Sequence, residues 1–146
     1  MSLTKGVART YGAGVNEYMI KSPVRAAVHI FEGSAVSSPA DGYCRPLTAA
    51  AAEGFRGFAE EGFDNTAAGA ANGDGQTLLR KKGTVLLDVV GVSGEGDIGA
   101  DVYASDDDTF TLSAGTNNVK IGKIVHFDSG TMVRVAFEAT ELRSVS

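Results

Sequence analysis

The chain has no tryptophan, one cysteine, two histidines and three prolines in 146 residues. Each scarcity removes a class of function. A lone Cys44 cannot form an intrachain disulfide, so a stapled secreted scaffold is not expected, and Cys44 reads as a small apolar residue in a reducing compartment. Two histidines and one cysteine do not make a zinc set, and without tryptophan there is little basis for an aromatic sugar platform. No apolar run approaches the roughly 18 residues of a membrane span, and no apolar block follows Lys5 and Arg9, so neither a membrane anchor nor an export signal is expected. Cations are also scarce: 13 Lys and Arg against 18 Asp and Glu give a net charge of −5. A nucleic-acid-coating surface needs clustered cations, so no nucleic-acid partner is expected.

Charge is unevenly distributed. Residues 1–25 hold Lys5, Arg9, Lys21 and Arg25 against Glu17 alone, whereas residues 84–146 hold ten acids against Lys120, Lys123, Arg134 and Arg143. The pattern is a basic arm on an acidic body. Residues 1–22 lack a clean period and carry scattered Val7, Tyr11, Val15, Tyr18, Met19 and Ile20. They read as an extended arm, residues 1–22, preceding a β-domain, residues 23–146. Such a terminus is disordered unless tied down; the alternative is that its tyrosines and apolar residues are held by another subunit, since exposed aromatics need burial to offset the entropy of ordering the segment.

From Pro23 the chain is a succession of short β-like runs. Val24 to Phe31 is rich in β-branched and aromatic residues and ends at the turn-forming Glu32-Gly33-Ser34. Asp41-Gly42 predicts a hairpin turn, and Pro46 after it belongs at a sheet edge. Gly54, Gly57 and Gly62 recur too often for a helix after Ala49 to Ala52, so a turn and a strand near Phe55 to Ala59 are expected. The NGDG end of residues 66–75 is a strong turn signal. Arg80-Lys81-Lys82-Gly83 reads as a solvated basic tip, followed by a strand over Thr84 to Val92 buried on both faces. In the last third, Val133, Val135 and Phe137 alternate with Met132, Arg134, Ala136 and Glu138, which puts the larger apolar groups on one face. Turn signals every 8–12 residues or so predict an all-β fold, a compact antiparallel β-barrel or β-sandwich.

Candidate chemistry fails on context. Gly94, Gly96 and Gly99 have the G-x-G-x-x-G spacing, but β-branched and aromatic residues follow in place of a helix, and no Asp or Glu occurs from Thr109 to Phe127 to hold a ribose. The glycines read as turn residues that need positive φ. Asp106, Asp107 and Asp108 do not begin an EF-hand loop, because Thr111 and Asn117 stand where Gly and Glu are required. The triplet reads as charge at a sheet margin that repels other strands. His126, Asp128 and Ser129 are close in sequence, but a triad is built in space. GVSGE has Glu95 where a nucleophile elbow needs its last glycine. No catalytic, cofactor or metal residues are assigned, and no enzyme activity is expected.

The order of elements over residues 84–137 resembles the small β-rich decoration, or cement, proteins of tailed-bacteriophage capsids. The likeness is carried by GTVLLDVV, by Gly99-Ala100-Asp101-Val102-Tyr103, by the acidic tip Asp106 to Asp108, by Thr109-Phe110-Thr111, by Ile121-Gly122-Lys123 and by the closing VRVAF. FEGSAV at 31–36, DGY at 41–43 and GFAEEGFDNT at 57–66 are compatible with it, and the long N-terminal segment departs from it. The resemblance implies a β-tulip-like fold and a structural virion protein, made in the host bacterial cytoplasm, that binds the capsid exterior. It would cement adjacent capsomers, with the major capsid protein as partner and a homo-oligomer, in particular a trimer, as the assembled form. Val7, Arg9, Tyr11, Val15, Tyr18, Met19 and Ile20 are the candidate capsid or subunit contacts. Deleting residues 1–22 is expected to abolish attachment while leaving the β-domain folded. The alternatives are a small β-barrel binding module for carbohydrate or host surface, and an enzyme whose pocket is assembled from unrecognised residues.

Overall fold

The computed structural model describes residues 2–12 and 19–140. Among these, twelve strands carry the fold and the only helix is a single 3-10 turn at Glu95–Asp97. The expected all-β class is what the chain adopts. Strands β1 (Met19–Pro23), β7 (Gln76–Arg80), β5 (Gly54–Glu61), β3 (Ala35–Ser38) and β4 (Arg45–Pro46) form one sheet in that spatial order. Strands β8 (Lys82–Val90), β9 (Asp101–Asp106), β10 (Thr109–Thr111), β11 (Val119–Ser129) and β12 (Met132–Glu138) close into a barrel. A two-residue pair, β2 (His29–Ile30) with β6 (Phe63–Asp64), completes the set.

The barrel is built from two long antiparallel hairpin partners and short connecting ladders. β12 pairs with both β8 and β11, and β9 pairs with both β11 and β10. The last seam, β10 against β8, is parallel and only two residue pairs long, Phe110 with Val89 and Thr111 with Val90. Alternation explains the interior. Val85, Leu87 and Val89 of β8, Val102 and Ala104 of β9, and Val133, Val135 and Phe137 of β12 are buried, as the two-residue period of a strand requires.

The five-stranded sheet curls until its edges touch. Val24, just past β1, forms a parallel bridge with Cys44, just before β4. A second small core of Val24, Ile30, Val36, Cys44, Ala59 and Leu79 lies here, while the main core joins the barrel interior to Ala35, Leu47, Phe55 and Phe58 of the sheet side. Phe55 and Phe58 are three apart, yet both reach the main core because β5 bulges against β3 between them. Gly57 at that bulge has φ +123, and a Cβ there would stand 2.5 Å from the Arg80 carbonyl oxygen, so the position requires glycine.

Four local expectations are corrected. Val24 to Phe31 is no continuous strand: the chain turns at Ala26-Ala27, where Ala26 N–H donates to Asn72 Oδ1 and Ala27 N–H to the Asn65 carbonyl, which separates the Val24 bridge from the short strand His29–Ile30. The basic triplet is not a solvated tip. The chain runs from β7 into β8 through Lys81, and Arg80 is buried with its guanidinium 3.9 Å from the Tyr11 ring centroid. β8 is buried on one face rather than two, with Asp88 and Val90 exposed. Of Gly94, Gly96 and Gly99, only Gly99 has the positive φ expected of all three, +95. The loop is organised by the Asp97 carboxylate, which accepts from the Ser93 and Gly94 amides.

Candidate interaction surface

Residues 2–12 lie as an extended strap against the chain's own body. Val7 N–H donates to the Glu32 carbonyl, Gly12 N–H to the Thr84 carbonyl, and Leu86 N–H returns a bond to the Thr10 carbonyl. The last two flank an antiparallel bridge between Tyr11 and Val85. This placement has a structural cause. β10 covers β8 only at Val89 and Val90, so the edge of β8 at Thr84 to Leu86 needs another strand, and Thr10 to Gly12 supply it. The strap completes the barrel wall at its weakest seam.

Two strap side chains and one backbone amide fix it there. Arg9 donates from Nε to the Gly33 carbonyl at 2.9 Å and from Nη2 to Asp108 Oδ1 at 2.8 Å. Its guanidinium carbon lies 5.7 Å from the Phe58 ring centroid and 5.4 Å from that of Phe110. Tyr11 rests beneath Arg80 and against Phe137, with ring centroids 6.2 Å apart, and burial pushes its phenol up to about 12. The Leu3 amide donates to Asp107 Oδ1 at 3.1 Å.

The acidic triplet therefore has a role that its sequence did not disclose. Asp107 is 1% exposed and also accepts from Ser34 Oγ at 3.2 Å, while Asp108 pairs with Arg9. Desolvation raises the Asp107 carboxyl above the usual carboxylate range, despite the donors it meets. A raised folded value means the native state takes up a proton before the unfolded chain does. Stability contributed by Asp107 thus increases as pH falls from neutral through that raised value, and is complete at about pH 4. Asp64, Asp97 and Asp101 are held low by their hydrogen bonds and oppose this only below the ordinary range. The unfolding-temperature advantage of wild type over Asp107→Asn is expected to grow as pH falls from about 7 to about 4. An advantage that shrinks over that window contradicts the assignment. Asp107→Ala leaves the Leu3 amide without its acceptor and is expected to cost about 1–3 kcal/mol.

The candidate contacts thus separate. Val7, Arg9 and Tyr11 are engaged by the chain itself, Val15 and Tyr18 lie outside the described residues, and Met19 and Ile20 are exposed. Met19 and Ile20 are 37% and 46% exposed on β1, an edge strand whose one ladder partner among the described residues is β7. The proposed cut after residue 22 falls inside β1, whose residues 19–22 pair with Leu78, Leu79, Arg80 and Thr77 of β7. Removing residues 1–22 would therefore strip β1, Arg9 and Tyr11 from the body rather than detach a free arm. Sequence reasoning did not find Asp107, Asp108, Gly33, Ser34 or Arg80 as partners of the strap, because these contacts span 24 to 104 residues where hydrogen-bonded and no local motif marks them.

Elsewhere the surface offers open concavities. One of about 450 Å³ on β11 and β12 is lined by Ile121, Gly122, Val125 and Ala136, with Lys120, Lys123 and Glu138 beside them. Lys120 and Lys123 both pair with Asp101, at 3.3 and 2.6 Å. His29 stacks on Phe31 and His126 is exposed on β11. Cys44 is buried, and burial pushes its thiol up, as the apolar reading expects. Among the described residues no group of three or more His, Cys, Asp or Glu is placed to hold a metal ion, and no helix is long and apolar enough to cross a membrane. No family model, curated protein or solved structure matches the chain.

Proposed function

We propose that this protein is a capsid decoration protein: it binds the outer surface of a tailed-phage head and stabilises it by bridging adjacent capsomers. One observation supports the reading above the others. The residues that carry the resemblance occupy successive elements of a single closed barrel, with GTVLLDVV in β8, Asp101 to Tyr103 in β9, Asp106 to Asp108 at the β9–β10 turn, Thr109–Thr111 as β10, Ile121 to Lys123 in β11 and VRVAF in β12. The likeness therefore belongs to one folded unit and not to scattered strings.

The physical demands of the role fit the rest of the molecule. A clamp on a shell under internal pressure needs a body that does not deform, and here a barrel and a curled sheet share one aromatic-rich core. It needs an outward contact that many copies repeat, since repetition converts modest single contacts into avidity. The β1 edge, with Met19 and Ile20 exposed, supplies apolar area on a strand that among the described residues forms a ladder with β7 alone, a combination suited to strand addition by a partner. The major capsid protein is the partner in this reading, with the protein itself as a homo-oligomer, trimeric on the resemblance.

The test is a double substitution, Met19→Glu with Ile20→Glu, in the full chain. Both side chains are exposed, so the fold is expected to persist with little change in unfolding temperature. Occupancy on expanded, undecorated heads, measured by pelleting, is expected to fall at least about tenfold, the factor set by losing about 1.4 kcal/mol or more over the two side chains together. Undiminished occupancy removes β1 from the contact.

A further inference from the structure

The strap and its seam imply a mode of self-association, which stands independently of the capsid reading. The described polar contacts of the strap are made with residues far along the chain: Glu32, Gly33, Thr84, Leu86, Asp107 and Asp108. None of these contacts depends on the strap being covalently joined to the same body. The seam has a specific chemistry. It presents the β8 edge at Thr84 to Leu86 for backbone pairing, two carboxylates at the acidic tip for a cation and an amide, the Phe58 and Phe110 rings for a guanidinium, and Arg80 with Phe137 for a tyrosine ring. A segment that satisfies all of these in register must offer an arginine two residues before a tyrosine on an extended backbone, which the strap of a second copy does identically.

We propose that the seam is exchangeable, so that residues 2–12 of one copy close the barrel of a neighbouring copy. In dilute solution the chain's own strap wins, because tethering gives it an effective concentration that a free copy does not reach. When copies are crowded side by side that advantage disappears. Exchange then replaces each contact with its equal, so linkage costs no contact energy. Exchanged straps would join copies through the barrel wall itself.

The register supplies the test. Thr10 is opposite Leu86, next to the Tyr11–Val85 bridge, and Thr10 is exposed. In the full chain, Thr10→Cys and Leu86→Cys together are expected to form an intrachain disulfide at low concentration, which verifies the register. A mixture of Thr10→Cys chains with Leu86→Cys chains, each otherwise intact, can link this pair only between copies. At high protein concentration the unlike-chain dimer is expected to form, to increase with concentration, and to exceed by about tenfold or more the yield of Thr10→Cys with Val125→Cys, since one charge-assisted hydrogen bond alone is worth about that factor. Val125 is exposed on β11, away from the bridge, and reports random collision. Absence of the unlike dimer, or a yield no greater than that of the Val125→Cys pair, overturns the proposal.

Discussion

Replacing Phe58 with alanine is expected to destabilise this protein by about 3–5 kcal/mol, the usual cost of emptying a buried aromatic site. Phe58 is fully buried on β5 and is the point where three parts of the molecule meet. Its ring centroid lies 5.6 Å from Phe55 on the same strand, 6.0 Å from Phe110 of β10 and 4.9 Å from Phe137 of β12, with edge-on or tilted geometry throughout. On its remaining side is the Arg9 guanidinium. Such ring pairs contribute beyond the area they bury, and a cavity here would be walled by strands of both the sheet and the barrel, which cannot close together without breaking ladders. Against a total stability of about 5–15 kcal/mol the loss is large, and a fall in unfolding temperature on the order of 10 °C is expected. Val125→Ala, at an exposed position, is expected to stay within about 0.5 kcal/mol of wild type. A Phe58→Ala cost below about 1 kcal/mol would mean that the two sheets do not share a core.

Arg9→Ala is the second large effect, and it separates the strap from the body. The Arg9 side chain is 10% exposed and its partner Asp108 is 35% exposed, so the pair is shielded on one side and wet on the other. Removing the guanidinium takes away two hydrogen bonds and two ring contacts, and leaves the Gly33 carbonyl without this donor. A cost of about 2–3 kcal/mol is expected, below that of breaking a fully buried pair because water can reach Asp108. Arg9→Lys is expected to recover little, since an ammonium cannot span both acceptors and the ring faces together. The diagnostic readout is hydrogen exchange. The Leu86 amide, which donates to Thr10, is expected to lose protection far more than the amides of β12, which are held by β8 and β11. Equal loss everywhere would contradict a strap that releases on its own.

How much of this was legible in the sequence depends on the range of the interaction. Val133, Val135 and Phe137 announced their shared face because a strand's period is local, and Gly33, Gly42 and the acidic turn before Thr109 announced their bends through residue chemistry alone. The β-like composition of Val24 to Phe31 does not make a strand because the side chain of Asn72 and the backbone of Asn65, some forty residues away, capture the amides at Ala26 and Ala27. Arg80 looked solvated because nothing nearby in sequence shows the Tyr11 ring that covers it. The acidic triplet has the charge pattern of a repellent margin, and that pattern is the same whether it faces water or an incoming arginine. Only the closing of the barrel, with its two-pair parallel seam, brings the strap and the triplet together.

In the proposed role the molecule acts through its surface on an assembled shell. The most direct measurement mixes the purified full-length protein with expanded, undecorated heads and follows both occupancy and the temperature at which the heads rupture. Binding that saturates at a fixed ratio of copies to capsomers, accompanied by a higher rupture temperature, is the predicted result. Binding that never saturates, or saturating occupancy that leaves the rupture temperature unchanged, would contradict it.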